Sequence, residues 1–151
     1  MKIKLAVSRE RENEIREALI RAGFEPDEDA DLVLTERDHF ISHLEVRRSD
    51  EDGSRRILAV EEIIYIESYG HTIFVHAADG IYQASDPLYQ LNLMLDPKVF
   101  LRISNSVIVN RKQIRRIAPT LSRKYILTMK NGEYADVTRS YYNSFRDSLG
   151  L

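Results

Sequence analysis

Between residues 100 and 114 the chain reads FLRISNSVIVNRKQI. Apolar and polar residues alternate there as in a strand with one face in a core, and Ser104, Asn105 and Ser106 interrupt the middle. Three adjacent polar side chains in a half-buried strand cost stability unless they meet water or a partner. Their natural place is therefore a strand end or an exposed loop at the sheet edge, facing outward. Arg102, Arg111, Lys112, Arg115 and Arg116 lie close by in the chain. Such cations attract and position phosphates, and an asparagine or arginine held among them can read base edges. The residues alone leave a plainer alternative, in which Asn105 only shapes a turn and the arginines form a solvated sheet face.

The formal net charge of -2 argues on its face against a polyanionic partner, but the charges are unevenly spread. Residues 1–56 carry 11 Lys and Arg against 15 Asp and Glu, residues 57–97 carry none against 6, and residues 98–146 carry 11 against 2, a local excess of +9. At 151 residues, 43% hydrophobic and 30% charged, the chain suits one ordinary domain or a smaller domain with an appendage. No apolar run is long enough for a membrane helix, and MKIKLAVSRERENEIR turns charged too early for a signal peptide. The absence of cysteine excludes disulfides and thiolate chemistry and fits a reducing compartment, so a cytoplasmic location is expected.

Two parts must position these residues. KIKLAV and DLVLTE read as short strands around SRERENEIREALIRAGF, a helix with Ser8 as cap, Ile15, Leu19 and Ala22 on one face, and Gly23 as terminator. PDEDA reads as a turn, and no glycine-rich phosphate loop joins the first strand to the helix. FISHLEVRR and RRILAV flank an Asp52-Gly53 hairpin signal. EIIYIES, TIFVHA and IYQAS then have the spacing of a β-meander. DPLYQLNLMLDP reads as a helix with Asp86 as N-cap, Pro87 at the first position and Leu88, Leu91 and Leu95 on one stripe. FLRI, SVIVN, QIRRIA, KYILTMK and EYADV read as strands, the last two joined by a two-residue turn at Asn131-Gly132. TRSYYNSFRDSLGL closes the chain as a short helix, capped by Thr138 or Ser140, with Tyr141, Phe145 and Leu149 inward.

VEEIIYIES, the leucine-striped helix, FLRISNSVIVNRKQIRRI and LTMKNGEYADVTRSYYNSF together resemble, in order and spacing, the LytTR DNA-binding domain of bacterial transcriptional regulators, over about residues 57–149. The resemblance implies a mainly β fold: an elongated β-domain with two short helices at residues 55–151, here preceded by a small α/β unit at residues 1–54. It also implies loops placed in successive major grooves of double-stranded DNA, and binding as a pair. The family's base-contacting positions match His71 in SYGHT, Asn105 in RISNS and Arg139 in DVTRS. Asparagine suits adenine, arginine suits guanine, and histidine can donate to a base acceptor or a phosphate. The sequence departs from the family at Thr138, where serine is usual, and at Ser104, where histidine is frequent.

The expected protein is thus a sequence-specific transcriptional regulator without enzymatic activity or cofactor, a homodimer, with no membrane partner. Phosphate contacts are expected from Arg102, Ser106, Arg111, Lys112, Arg115, Arg123 and Lys124. Residues 1–56 are too short for a receiver domain, so phosphorelay control is not expected. The competing reading is a ligand-sensing or protein-interaction module whose β-domain docks to a protein. A metal shared by His39 and His43 is not expected, because in a strand residues four apart lie ~13 Å from one another.

Overall fold

The computed structural model describes residues 1–37, 39–48 and 53–151. The chain opens with β1 (Lys2–Ala6), α1 (Arg9–Arg21), β2 (Glu25–Pro26) and β3 (Val33–Thr35), and the three strands form a parallel sheet in the order β2-β1-β3. β2 occupies the start of the stretch expected to be only a turn: Glu25 N–H donates to the Met1 carbonyl at 2.9 Å and Asp27 N–H to that of Ile3 at 2.9 Å. Ser8 stands at the N-cap of α1, but its side chain does not cap. Its N–H and hydroxyl both donate to Glu36, at 2.7 and 2.8 Å, and these two bonds hold the Glu36 carboxyl below the usual range. Gly23 ends the helix with φ +89°, a conformation that costs glycine little.

β4 (His43–Arg48), β5 (Arg55–Ala59), β6 (Ile63–Tyr69), β7 (Thr72–Ala77), β8 (Gly80–Ala84), β9 (Phe100–Arg102) and β10 (Val107–Asn110) form a seven-stranded antiparallel sheet in the order β5-β4-β8-β7-β6-β10-β9. Asp52 of the hairpin signal lies outside the described residues, while Gly53 has φ +83° and β4 and β5 pair on either side. His39 precedes β4, so it does not share a strand with His43.

α2 (Leu88–Met94) crosses one face of this sheet. Leu88, Leu91, Met94 and Leu95 pack there against Leu44, Val46, Ile63, Ile66, Val75, Phe100 and Ile108. Asp86 is not its cap: the position falls to Pro87, and Asp86 pairs instead with Lys4, a cation from β1 that Glu28 also approaches, at 4.0 Å. Gln90 donates to the Ala30 carbonyl at 2.8 Å and Tyr89 to that of Asp31 at 2.8 Å, tying α2 to the segment between β2 and β3.

β11 (Ile114–Pro119), β12 (Tyr125–Met129) and β13 (Tyr134–Val137) make a second antiparallel sheet, followed by a 3₁₀ turn over Arg139–Tyr141 and α3 (Tyr142–Leu149). Ile64, Tyr65, Leu101, Ile103 and Val109 meet Tyr125, Leu127, Met129, Val137 and Phe145 in a second core. Strands β6, β9 and β10 are therefore buried on both faces, with Phe100 and Ile108 in one core and Leu101 and Val109 in the other, as a side-chain period of two demands. A register shift between Ile63 and Tyr65 lets Ile64 and Tyr65 both serve the second core. The Tyr65 hydroxyl donates to Glu133, and burial first, then this carboxylate, pushes the phenol pKa up.

The β12–β13 turn differs from the two-residue form. Gly132 N–H donates to the Met129 carbonyl at 2.9 Å and Met129 N–H to that of Glu133 at 2.8 Å, so Lys130, Asn131 and Gly132 form a three-residue loop. Gly132 alone has positive φ there, +88°, whereas a two-residue type I′ turn needs it at both central residues. The β11–β12 connection is closed in the same manner, with Thr120 N–H donating to the Lys124 carbonyl at 2.9 Å, but its left-handed residue is Arg123 at φ 55°. A side chain there costs about 1–2 kcal/mol relative to glycine. Arg123→Gly is expected to raise the unfolding free energy by about 1 kcal/mol in denaturant titration. A loss of stability would mean that the arginine side chain holds the loop.

Candidate nucleic-acid interface

Three loops gather at one end of the β-domain. The first is the turn between β6 and β7, where Tyr69 pairs with Thr72 and leaves Gly70 and His71 as a two-residue loop. Gly70 has φ +62° and His71 does not have positive φ, the glycine-first pattern of a type II′ hairpin. The second is Ser104–Ser106, between β9 and β10, which pair with each other. The third begins at Thr138, where β13 ends and the 3₁₀ turn carrying Arg139 begins.

Backbone and side-chain hydrogen bonds stitch the middle loop to both others. Ser68 N–H donates to the Ser106 carbonyl at 2.8 Å, and His71 follows three residues later, within about 10 Å along an extended chain. On the other side Thr138 N–H donates to the Ile103 carbonyl at 2.9 Å, and the Tyr141 hydroxyl donates to Asn105 Oδ1 at 3.1 Å. His71, Asn105 and Arg139 are all exposed.

Ser104 does not face outward as the sequence suggested. It is buried, and its Oγ accepts from Ser106 N–H at 3.2 Å, so one hydroxyl is used to bend the chain and only Asn105 and Ser106 reach solvent. Arg102 is half-buried and its fork is engaged: Nε donates to the Ser104 carbonyl at 2.7 Å and Nη2 to the Asn105 carbonyl at 2.5 Å. Tyr141 has no role in the sequence reading beyond its inward stripe. Its hydroxyl reaches Asn105 because the 3₁₀ turn, rather than α3, contains it. Nothing in the spacing of two residues 36 apart signals that contact.

The cations divide by strand geometry. Tyr125 pairs with both Pro119 and Val137, which puts the Thr120–Lys124 loop, with exposed Arg123 and Lys124, at the same end as Thr138 and Arg139. Arg111 and Lys112 occupy a 3₁₀ turn at the far end of β10. Lys112 follows Asn105 by seven positions, and even the four residues of β10 span about 10 Å. That turn is set by Asn110, fully buried, which donates to the Ile63 carbonyl at 2.8 Å and accepts from Lys112 N–H at 3.0 Å. Arg111 Nη1 donates to the Ser148 carbonyl at 3.5 Å. Arg115 and Arg116 are exposed on β11, at a register shift between Ile114 and Arg116. The basic excess legible in the sequence is thus spread along the second sheet, and only part of it adjoins the three loops.

Among the described residues no cluster of three His, Asp or Glu side chains is placed to hold a metal, and no helix is long and apolar enough to cross a membrane.

Comparison with known proteins gives the same β-domain. The family model described as the LytTr DNA-binding domain matches residues 53–150. The transcriptional regulatory protein LytR of Staphylococcus aureus (strain N315) is 29% identical over 100 residues, which are 66% of this chain and 41% of that protein. The sensory transduction protein LytT of Bacillus subtilis (strain 168) is 30% identical over 95 residues, 63% of this chain and 39% of that one. The match spans about two fifths of the length of these relatives. A solved LytTr DNA-binding domain of a putative methyl-accepting/DNA response regulator from Bacillus cereus superposes with a TM-score of 0.69 at 26% identity, covering 74% of this chain and 99% of that one.

Proposed function

Since the chain belongs to the LytTR DNA-binding domain family, which it matches over residues 53–150, we propose that it is a sequence-specific transcriptional regulator reading the major groove of double-stranded DNA. His71, Asn105 and Arg139 carry the reading, and Arg123 and Lys124 lead the phosphate contacts. The observation that supports this most is the gathering of the three loops at one end, each carrying an exposed side chain able to meet a base edge. Ser106, Arg111, Lys112, Arg115 and Arg116 flank this edge or extend along the second sheet, where they add phosphate contacts and salt dependence. Arg102 contributes through the loop it holds. The protein acts in the cytoplasm as a homodimer, because two copies multiply the selectivity of one short site, and it needs neither catalysis nor cofactor.

Selection from a randomised duplex library, followed by gel shifts on selected and random duplexes at two salt concentrations, tests the proposal. An enriched sequence motif, with tighter binding to it than to random duplex, is the expected result. Lys124→Ala is expected to weaken both duplexes alike and to lower the salt slope by about 1. No enriched motif would defeat the reading and leave the second one, a ligand-sensing module. A specific feature favours that alternative: a cavity of about 830 Å³ between the N-terminal unit and the large sheet, lined by Lys4, Asp31, His43, Asp86, Gln90 and Met94, lies within the size range of small-molecule sites.

A further inference from the structure

The middle loop carries more construction than a turn requires. Arg102 closes it from one side with its fork on two successive carbonyls, those of Ser104 and Asn105. Its guanidinium carbon lies 5.9 Å from the centre of the Tyr141 ring. The Tyr141 hydroxyl in turn bonds Asn105 Oδ1, and Tyr141 N–H donates to the Thr138 carbonyl at 3.0 Å within the turn that bears Arg139. Arginine, tyrosine and asparagine thus form one chain of contacts between two of the three loops.

We propose that Tyr141 and Arg102 are positioning residues that lock the Asn105 amide for adenine. The inference rests on the DNA-reading function argued above. An asparagine at a loop tip is free to rotate, and its amide presents either oxygen or nitrogen with similar ease. A cation over the phenol ring draws electron density toward itself and favours the hydroxyl as donor over acceptor. A donor at this point selects the amide orientation with Oδ1 toward Tyr141. Both Nδ2 hydrogens then remain available, together with the second lone pair of Oδ1. That donor and acceptor pair complements N7 and the N6 amino group of adenine in the major groove. Locking the amide before binding removes part of the ordering cost, so the contact discriminates more strongly than a mobile asparagine would. Because Tyr141 and Arg139 share one turn, the lock also fixes the distance between two base-reading side chains.

The test compares library selections by the full chain and by Tyr141→Phe, Arg102→Lys and Asn105→Ala. Phenylalanine keeps the ring beneath Arg102 and removes only the hydroxyl; lysine keeps the charge and removes the fork. The full chain should enrich a motif with an adenine position that Asn105→Ala flattens. Tyr141→Phe should lower enrichment at that same position by about fivefold, the size of one neutral hydrogen bond, with the melting temperature near that of the parent; Arg102→Lys, which loses two charge-assisted bonds, should lower it at least as far, and both should leave the remaining positions near those of the parent. Unchanged adenine enrichment in Tyr141→Phe, or an equal loss at every position, overturns the lock. Unchanged enrichment in Arg102→Lys removes the fork on the Ser104 and Asn105 carbonyls from it. If the parent itself enriches no motif, the DNA-reading function fails first, a result distinct from either of these.

Discussion

Phe145→Ala is expected to destabilise the β-domain by about 3–5 kcal/mol, the cost of deleting a large buried aromatic side chain together with the cavity it leaves. The ring is 1% exposed, and its centre lies 5.5 Å from that of Tyr125, which stacks on Tyr142 at 4.8 Å. Small domains have net stabilities of about 5–15 kcal/mol, so this one substitution would remove a large share. The consequence extends to the proposed interface. Phe145 packs α3 onto the core that joins the second sheet to β6, β9 and β10, and the turn bearing Arg139 runs directly into α3. Loosening that core frees the third loop from the second. Chemical denaturation followed by circular dichroism measures the loss, with Ile126→Ala as comparison, since Ile126 is 41% exposed and should cost far less. A cost for Phe145→Ala as small as that of Ile126→Ala would mean that the second core is not the close-packed body described.

Much of this architecture follows from patterns that act locally. The two-residue alternation of FLRI and SVIVN is an alternation between two cores, and the leucine stripe of residues 88–95 follows from a helix with one face to fill. Gly70 and Gly132 mark turns because φ is positive at both positions, a conformation that costs glycine little. Interactions across long stretches of chain are what local pattern leaves open. Asp86 has every local property of a helix cap, yet Lys4, 82 residues away, takes its carboxylate. Ser104 looks like a surface residue in SNS, but the bend of the loop turns its hydroxyl to Ser106 N–H. The same limit applies to the site. His71, Asn105 and Arg139 are identified by resemblance and their exposure is common in loops, whereas the division of the basic residues between two ends depends on the pairing of Tyr125 with Pro119 and Val137, which no charge count contains.

Arg139→Ala is expected to flatten the preference for selected over random duplex by about 1–3 kcal/mol, or about 5- to 150-fold in the ratio of dissociation constants. Arg139 is exposed at the start of the 3₁₀ turn, and Thr138, bonded through N–H and Oγ1 to the Ile103 carbonyl at 2.9 and 3.4 Å, anchors its backbone. The side chain therefore projects from a fixed base, as a forked contact to guanine O6 and N7 requires. A phosphate-binding arginine would behave otherwise, lowering affinity for every duplex and reducing the salt slope by about 1. Lys124→Ala supplies that pattern as an internal standard, since Lys124 stands at the same end of the fold on the neighbouring hairpin. Arg139→Lys sharpens the distinction: the charge is kept and the planar fork is lost, so affinity for random duplex should hold while the preference falls. Equal losses on selected and random duplex for Arg139→Ala would remove this residue from base reading and assign it to the backbone.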